Sequence, residues 1–232
     1  MALQQPLQFT YNTDYDFASF HAECNQELVL QLQDCASGNG EQQIFIWGQQ
    51  GQGKSHLLQA CCQTAHRDQK SNFYLALAEN QTTNPNILSG LENTKLVCID
   101  DIQSITGNTV WEQAFFRFYN QHREQGNHLI IASSVAPANL NFELLDLKTR
   151  LAWGLCLKIN AMNDEQRIAT LVVKARTMGL EITPRTGQFL LNQCSRDFPS
   201  LWTLLEKIDY VTLATQRKPT IPLIKKILKQ NK

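Results

Sequence analysis

The stretch Gly48-Gln49-Gln50-Gly51-Gln52-Gly53-Lys54-Ser55 constrains this chain more than any other feature. Glycines at these spacings let a backbone loop curl until its N–H groups point at phosphate oxygens. The loop must join a strand to a helix, because the helix N-terminus adds its dipole to the same anion. Both flanks are present: residues 44–47 read as a short apolar strand, and helical periodicity begins at Lys54. Gly48, Gly51, Gly53, Lys54 and Ser55 are therefore expected to hold ADP or ATP. Lys54 should reach the β- and γ-phosphates, and Ser55 should ligate Mg²⁺. His56 adjoins this cofactor-binding set and is read as a helix-surface residue rather than a catalyst.

Around the loop, short apolar runs alternate with helical segments. Strands are expected at residues 44–47, 73–77, 96–99, 129–132 and 155–159, and helices at 55–65, 109–124 and, less regularly, 140–151. Such alternation implies an α/β fold, a parallel sheet with helices on both faces. The continuous apolarity of the strands fits burial on both sides. One strand carries chemistry at its end: Leu96-Val97-Cys98-Ile99-Asp100-Asp101. Strand ends of parallel sheets converge on the ligand crevice. Asp100 should hold Mg²⁺ through water, and Asp101 should polarise or position an attacking water. Ser133 and Ser134 lie near the γ-phosphate or form a plain strand-end turn. Phe17 and Phe20 stack on the base or simply join the core, and Trp111 and Trp153 are read as packing residues.

After residue 160 the alternation stops. Helical periods cover 164–178, a segment begun by Thr183-Pro184, 200–215 and 221–229, which implies a small helical bundle. The chain thus divides into a flexible segment 1–15, an α/β domain 16–161 and a helical domain 162–232. Lys plus Arg equals Asp plus Glu at 21 each, which argues against duplex DNA as the main ligand. Lys218, Lys225, Lys226, Lys229 and Lys232 read as a solvated helix face. No apolar run approaches the ~20 residues of a membrane span, no secretion signal is visible, and the cytoplasm is expected. The seven cysteines are odd in number and lack a Cys-x-x-Cys pair. They read as reduced, mostly buried thiols rather than a disulfide or zinc framework.

Four stretches together carry a family resemblance: residues 48–55, Ile99-Asp100-Asp101-Ile102-Gln103, Phe115-Phe116-Arg117-Phe118-Tyr119-Asn120 and Leu147-Lys148-Thr149-Arg150-Leu151-Ala152-Trp153-Gly154. They resemble the AAA+ ATPase domain of the bacterial replication initiator DnaA, and the likeness runs from about residue 17 to the C-terminus. The resemblance implies an AAA+ P-loop domain followed by a helical lid. It also implies that Arg150 is catalytic in trans, on a nucleotide held by a neighbouring subunit; the alternative is a surface ion pair. DnaA carries a further DNA-binding domain for which this chain has no room. A DnaA-like chain of that kind resembles the regulatory inactivators of DnaA.

Near the N-terminus Gln4-Gln5-Pro6-Leu7-Gln8-Phe9 fits Gln-x-x-Leu-x-Phe, a pattern resembling peptides that dock on the β sliding clamp. Leu7 and Phe9 would fill apolar pockets while Gln4 bonds at the rim. The expected function is regulation of replication initiation. Bound to nucleotide and clamp, the chain would stimulate hydrolysis of ATP on DnaA and prevent re-initiation. DNA would be contacted indirectly, and head-to-tail self-association is open. Two departures from the family bear on the chain's own turnover. Pro199 stands where a lid arginine is expected, with Arg196 upstream as the candidate nucleotide contact, and Ser134-Val135 replace an acidic residue and an arginine. The other class of function is an autonomous AAA+ ATPase or loader acting on DNA or a helicase.

Overall fold

The computed structural model describes residues 15–20, 24–78, 84–194, 198–216 and 218–229. Gln4, Leu7, Phe9 and Arg196, singled out from the sequence, lie outside the described residues. The chain folds as two compact units, Met1–Gln49 with Gly53–Asn160, and Gln50–Gln52 with Ala161–Lys232.

The first unit is built on five strands: β1 (Gln43–Trp47), β2 (Asn72–Ala76), β3 (Leu96–Asp100), β4 (His128–Ser133) and β5 (Leu155–Lys158). All pairings are parallel, in the order β2-β3-β4-β1-β5. Around them lie α1 (Gln26–Ala36), α2 (Lys54–Arg67), α3 (Thr109–Glu124) and α4 (Leu145–Leu151). Alternate residues of a strand face opposite ways. Ile44, Ile46, Cys98 and Ile130 accordingly pack with Leu32 of α1 and Leu57, Leu58 and Cys61 of α2. Phe45, Val97, Ile99 and Ile131 pack on the other face with Phe115 and Phe118 of α3 and Leu147 of α4. A strand covered on both faces must be apolar throughout, which is why β1, β3 and β4 read so clearly.

Three local features differ from the sequence reading. β5 is an edge strand whose residues alternate between half-buried and exposed, so Cys156 is exposed rather than buried. All seven cysteines are free thiols. Residues 140–151 do not form one helix: a 3₁₀ turn spans Pro137–Asn139, Leu140 and Phe142 drop into the core, and α4 starts only at Leu145. α1 adds a helix beyond those expected from the sequence. It buries Leu28, Val29, Leu32, Cys35 and Ala36 on one stripe. Its N-cap Asn25 makes no cap bond and instead grips the chain leaving β5, donating Nδ2 to Asn160 O (3.2 Å) and accepting Asn160 N at Oδ1 (2.8 Å).

The second unit is all helical: α5 (Asp164–Thr177), α6 (Pro184–Gln193), α7 (Phe198–Thr215) and α8 (Ile221–Lys229). Its own core joins Leu171, Leu190, Leu191, Leu201, Leu205, Ile208 and Ile224. The start signals act as their chemistry requires. Asn163 and Gln166 form a reciprocal capping box on α5, and Thr183 caps α6 ahead of Pro184.

Candidate functional site

The nucleotide loop begins where β1 ends. Gly48 N donates to Ser133 O at 3.1 Å, carrying the β1–β4 ladder one residue past Trp47. The chain then turns through Gly51 at φ +77° and Gly53 at φ +87°, conformations that exclude most side chains. At Gly53, the N-cap of α2, a Cβ would also lie 2.8 Å from Phe20 Cε2.

Lys54 opens α2 and is 7% exposed. Its Nζ folds back on the loop and donates to Gly48 O (2.9 Å) and Gln49 O (3.0 Å). Among the described residues no carboxylate oxygen stands within ion-pair distance of it. Burial lowers its pKa, opposed by the negative charges of Asp100 and Asp101. A buried ammonium with only neutral carbonyl partners is incompletely compensated, and an incoming phosphate supplies the missing charge. The residues present therefore fit a nucleoside di- or triphosphate.

Asp100, at the end of β3, is 2% exposed. Its Oδ1 accepts Asp101 N (2.9 Å) and its Oδ2 accepts the Tyr74 hydroxyl (3.0 Å). Burial pushes its pKa above the usual carboxylate range, while the Ser55 and Tyr74 hydroxyls and Asp101 N pull it back. Ser55 itself is exposed. Mg²⁺ takes few protein ligands and keeps waters and phosphate oxygens. Ser55 and Asp100 suit that sparse set, and no group of three His, Cys, Asp or Glu that could hold a metal occurs among the described residues.

Asp101 sits in the left-handed region at φ 56°, ψ 46°, which Asp tolerates. Its Oδ1 accepts Gln103 Nε2 at 2.8 Å, and Gln103 Oε1 accepts Ser134 N at 3.1 Å. Gln103 thus ties the end of β3 to the end of β4. Ser133 is buried, and its hydroxyl accepts Val135 N at 3.2 Å, as in a strand-end turn. Tyr74 and Gln103 were not singled out for the site from sequence. Tyr74 lies on β2 in register two residues before the Ala76–Asp100 pair, a placement visible only once strand order is known.

His56 is not a bare surface residue. Its Nε2 lies 2.8 Å from Asp16 O, and its ring lies 4.9 Å from Tyr15 and 5.6 Å from Phe20. It pins residues 15–20 against the first turn of α2. Phe20 belongs to the core, and Phe17 packs against it.

Arg150 lies elsewhere. Its backbone carbonyl accepts Gln43 Nε2 (3.2 Å) and the Tyr119 hydroxyl (3.1 Å). Gln43 opens β1, whereas the nucleotide loop follows its other end. At about 3.3 Å per residue, roughly 13 Å of strand separates Gln43 from Trp47. The guanidinium donates Nη1 to Asn120 Oδ1, and its Cζ lies 4.8 Å from the Phe116 ring centre and 5.3 Å from that of Trp153. No ion pair of Arg150 occurs among the described residues. Trp111 is 4% exposed, as a packing residue should be, but Trp153 is 57% exposed and carries Arg123 on its ring at 5.6 Å as well. The fold therefore gathers Gly48, Gly51, Gly53, Lys54, Ser55, Asp100 and Asp101 at one end of the sheet and keeps Arg150 at the other.

Residues 11–158 match the family described as the bacterial DnaA ATPase domain. The chain belongs to that family. Residues 164–228 match a second description, the lid domain of Hda, so the DnaA-like ATPase fold and the helical lid together account for nearly all of the chain. Domain III of DnaA from Thermotoga maritima shares 20% identity over 96% of this chain and 98% of its own, with a TM-score of 0.80. DnaA from Aquifex aeolicus, solved with AMPPCP, shares 21% identity over 86% of this chain and 66% of its own, with a TM-score of 0.73. RuvB of Thermotoga maritima, a Holliday junction branch migration motor, shares 13% identity over 90% of this chain and 69% of its own, with a TM-score of 0.67. These likenesses establish the AAA+ fold; membership of the DnaA ATPase family makes the chain a DnaA-related AAA+ nucleotide-binding protein of replication. No helix among the described residues is long and apolar enough to cross a membrane.

Proposed function

We propose that this chain regulates replication initiation in the cytoplasm by lending Arg150 to ATP bound on DnaA. The observation that carries the reading is the separation of Arg150 from Lys54 by the length of β1. An arginine so placed cannot serve the nucleotide of its own chain, yet its guanidinium rests on Phe116 and Trp153 without a carboxylate partner among the described residues. A planar, permanently charged group held this way suits the charge spread over a transferred phosphoryl. Nucleotide, ADP or ATP with Mg²⁺, is bound at Lys54, Ser55 and Asp100 and stabilises the chain; Asp101 orients water there. The N-terminal segment with Gln4, Leu7 and Phe9 docks on the β sliding clamp, Arg196 contacts the nucleotide from the lid, and DNA is met through the clamp. The units divide functionally at 1–15, 16–161 and 162–232.

A second reading is own turnover as an autonomous ATPase, favoured by the Asp101–Gln103–Ser134 connection beside the loop. One assay separates the two: single-turnover hydrolysis of ATP pre-bound to DnaA, with DNA-loaded clamp, comparing wild type with Arg150→Ala. Stimulation by wild type that Arg150→Ala loses supports the regulator. No stimulation by wild type, with ATP turnover by the chain alone, supports the second reading.

A further inference from the structure

The helix that bears Arg150 is short and does not cap itself. α4 has seven residues, and its N-cap is Leu144, whose side chain accepts nothing. A helix of two turns is marginal unless its surroundings impose it. Here the backbone that leads into the helix, up to its N-cap, is held from another element. Glu112 of α3 is 0% exposed; its Oε2 accepts Leu144 N at 2.8 Å, and its Oε1 accepts Glu143 N at 3.3 Å and Gly107 N at 2.8 Å. No cation pairs with it among the described residues. Burying a carboxylate is costly unless its lone pairs are filled, and here backbone N–H groups fill them. Glu112 also stands in the first turn of α3.

The other end of α4 is gripped as well. Gln43 Nε2 donates to Leu151 O (3.0 Å) and Arg150 O (3.2 Å), and the Tyr119 hydroxyl shares its single hydrogen between Gln43 Oε1 and Arg150 O. Glu112, Phe116, Tyr119 and Asn120 fall at the spacing of one helix face. A single stripe of α3 therefore addresses the start of α4, its last carbonyls and the guanidinium itself. The third bond of Glu112, to Gly107, reaches the segment that leaves Asp101 through the 3₁₀ turn Ile102–Ile105.

We propose that Glu112 is a positioning residue for Arg150: its buried carboxylate sets where α4 begins and so where the trans-acting guanidinium stands. The proposal rests on the reading that Arg150 acts on DnaA-bound ATP. It makes Glu112, which touches no nucleotide, a determinant of the maximal rate rather than of partner affinity.

The test uses the full chain with Glu112→Gln, which keeps the shape but replaces one acceptor by a donor facing N–H groups. Amide hydrogen exchange on the isolated protein is expected to speed up at least tenfold at Glu143 and Leu144, with β1 amides unchanged. In the DnaA single-turnover assay the maximal rate should fall at least tenfold while half-saturation stays within twofold. In an Arg150→Ala background Glu112→Gln should cost nothing further, because its effect on the rate passes through Arg150. Should Glu112→Gln not fold, Glu112→Asp, which keeps charge but shortens reach, should give an intermediate rate and intermediate exchange. Unchanged exchange overturns the capping role; accelerated exchange with a full rate, or a loss additive with Arg150→Ala, overturns the positioning role. If wild type does not stimulate DnaA, the underlying reading falls and takes the proposal with it, whereas the exchange result still reports on the cap.

Discussion

Replacing Lys54 by methionine should change the unliganded protein little and abolish its stabilisation by nucleotide. The substitution keeps an unbranched stem and removes the charge. In the unliganded chain it deletes two charge-assisted bonds, to Gly48 O at 2.9 Å and Gln49 O at 3.0 Å, each worth about 1.5–3 kcal/mol. It also removes an ammonium that is only 7% exposed and whose pKa burial pulls below the ordinary 10.5. For such a base the unfolded chain binds more protons than the folded one between the two pKa values, so stability rises with pH up to about 10.5 and the charge opposes folding at neutral pH. The two effects oppose, so the net loss of unliganded stability is expected to be smaller than the loss of the two bonds alone.

With nucleotide the balance breaks. At a ligand concentration 100-fold above Kd, wild type gains about 2.7 kcal/mol. At roughly 2–4 °C per kcal/mol for a chain of this size, that is a rise of about 5–11 °C in melting temperature. Truncating one partner of a buried charge pair costs about 2–5 kcal/mol, and a loss of about 4 kcal/mol raises Kd about a thousandfold. The same nucleotide then adds under about 0.1 kcal/mol, a shift below half a degree. Calorimetric melting of both proteins, with and without Mg²⁺ and ADP or ATP, reads all four states. A Lys54→Met protein that keeps the nucleotide shift would refute the placement of phosphate at Lys54. One whose unliganded melting temperature falls by more than the wild-type ligand gain would refute the argument from burial.

Two further outcomes follow from single groups. Tyr74→Phe removes the hydroxyl that Asp100 Oδ2 accepts at 3.0 Å and should lower unfolding free energy by about 1.5–3 kcal/mol in urea titrations; an unmoved midpoint counts against the bond. His122 is 1% exposed, bonds Thr94 O at 3.0 Å, and burial takes its pKa from 6.5 down to about 4. Its folded pKa is depressed, so the neutral ring's stability is complete above pH 6.5 and is lost as pH falls toward about 4, a loss of about 3 kcal/mol. His122→Gln, which can still donate to Thr94 O, should flatten that part of the urea-midpoint profile; an equally steep profile would assign the acid sensitivity to another group.

What could be read from the chain alone followed from local rules. The covered strands were legible to within a residue or two because two-sided burial forbids polar positions, and the loop 48–55 was legible because phosphate binding fixes its glycines. α1 escaped notice because its buried stripe is interrupted by Leu30, an apolar residue that is 60% exposed, which blurs the helical period. The fate of 140–151 turned on Leu140 and Phe142, whose core contacts override helical periodicity. Tyr74, Gln103 and Glu112 act across elements distant in sequence: Tyr74 reaches Asp100 only because β2 lies beside β3, and Glu112 caps a helix that begins 33 residues later. No local pattern encodes such pairs. Trp153 misled for a related reason: a tryptophan is usually inside, and only the nearby guanidiniums of Arg123 and Arg150 account for one left in solvent.

The polarity of the sheet ties these observations to function. Because every strand runs the same way, the C-terminal ends of β1, β3 and β4 share one edge, where Lys54, Asp101 and Ser134 gather, and the N-terminal ends share the other. Arg150 is tethered to the second edge through Gln43, the first residue of β1. No side-chain rotation carries a guanidinium along roughly 13 Å of buried strand. On the proposed reading a chain built this way has a nucleotide-accepting end and an arginine-donating end, and a second polypeptide brings the two chemistries together. Copies meeting arginine end to nucleotide end would form a heterologous contact that repeats from subunit to subunit, whereas a different ATPase that accepts the arginine end leaves the chain's own nucleotide on the far side. On the proposed reading the first work of that far nucleotide is to hold together the fold that presents Arg150.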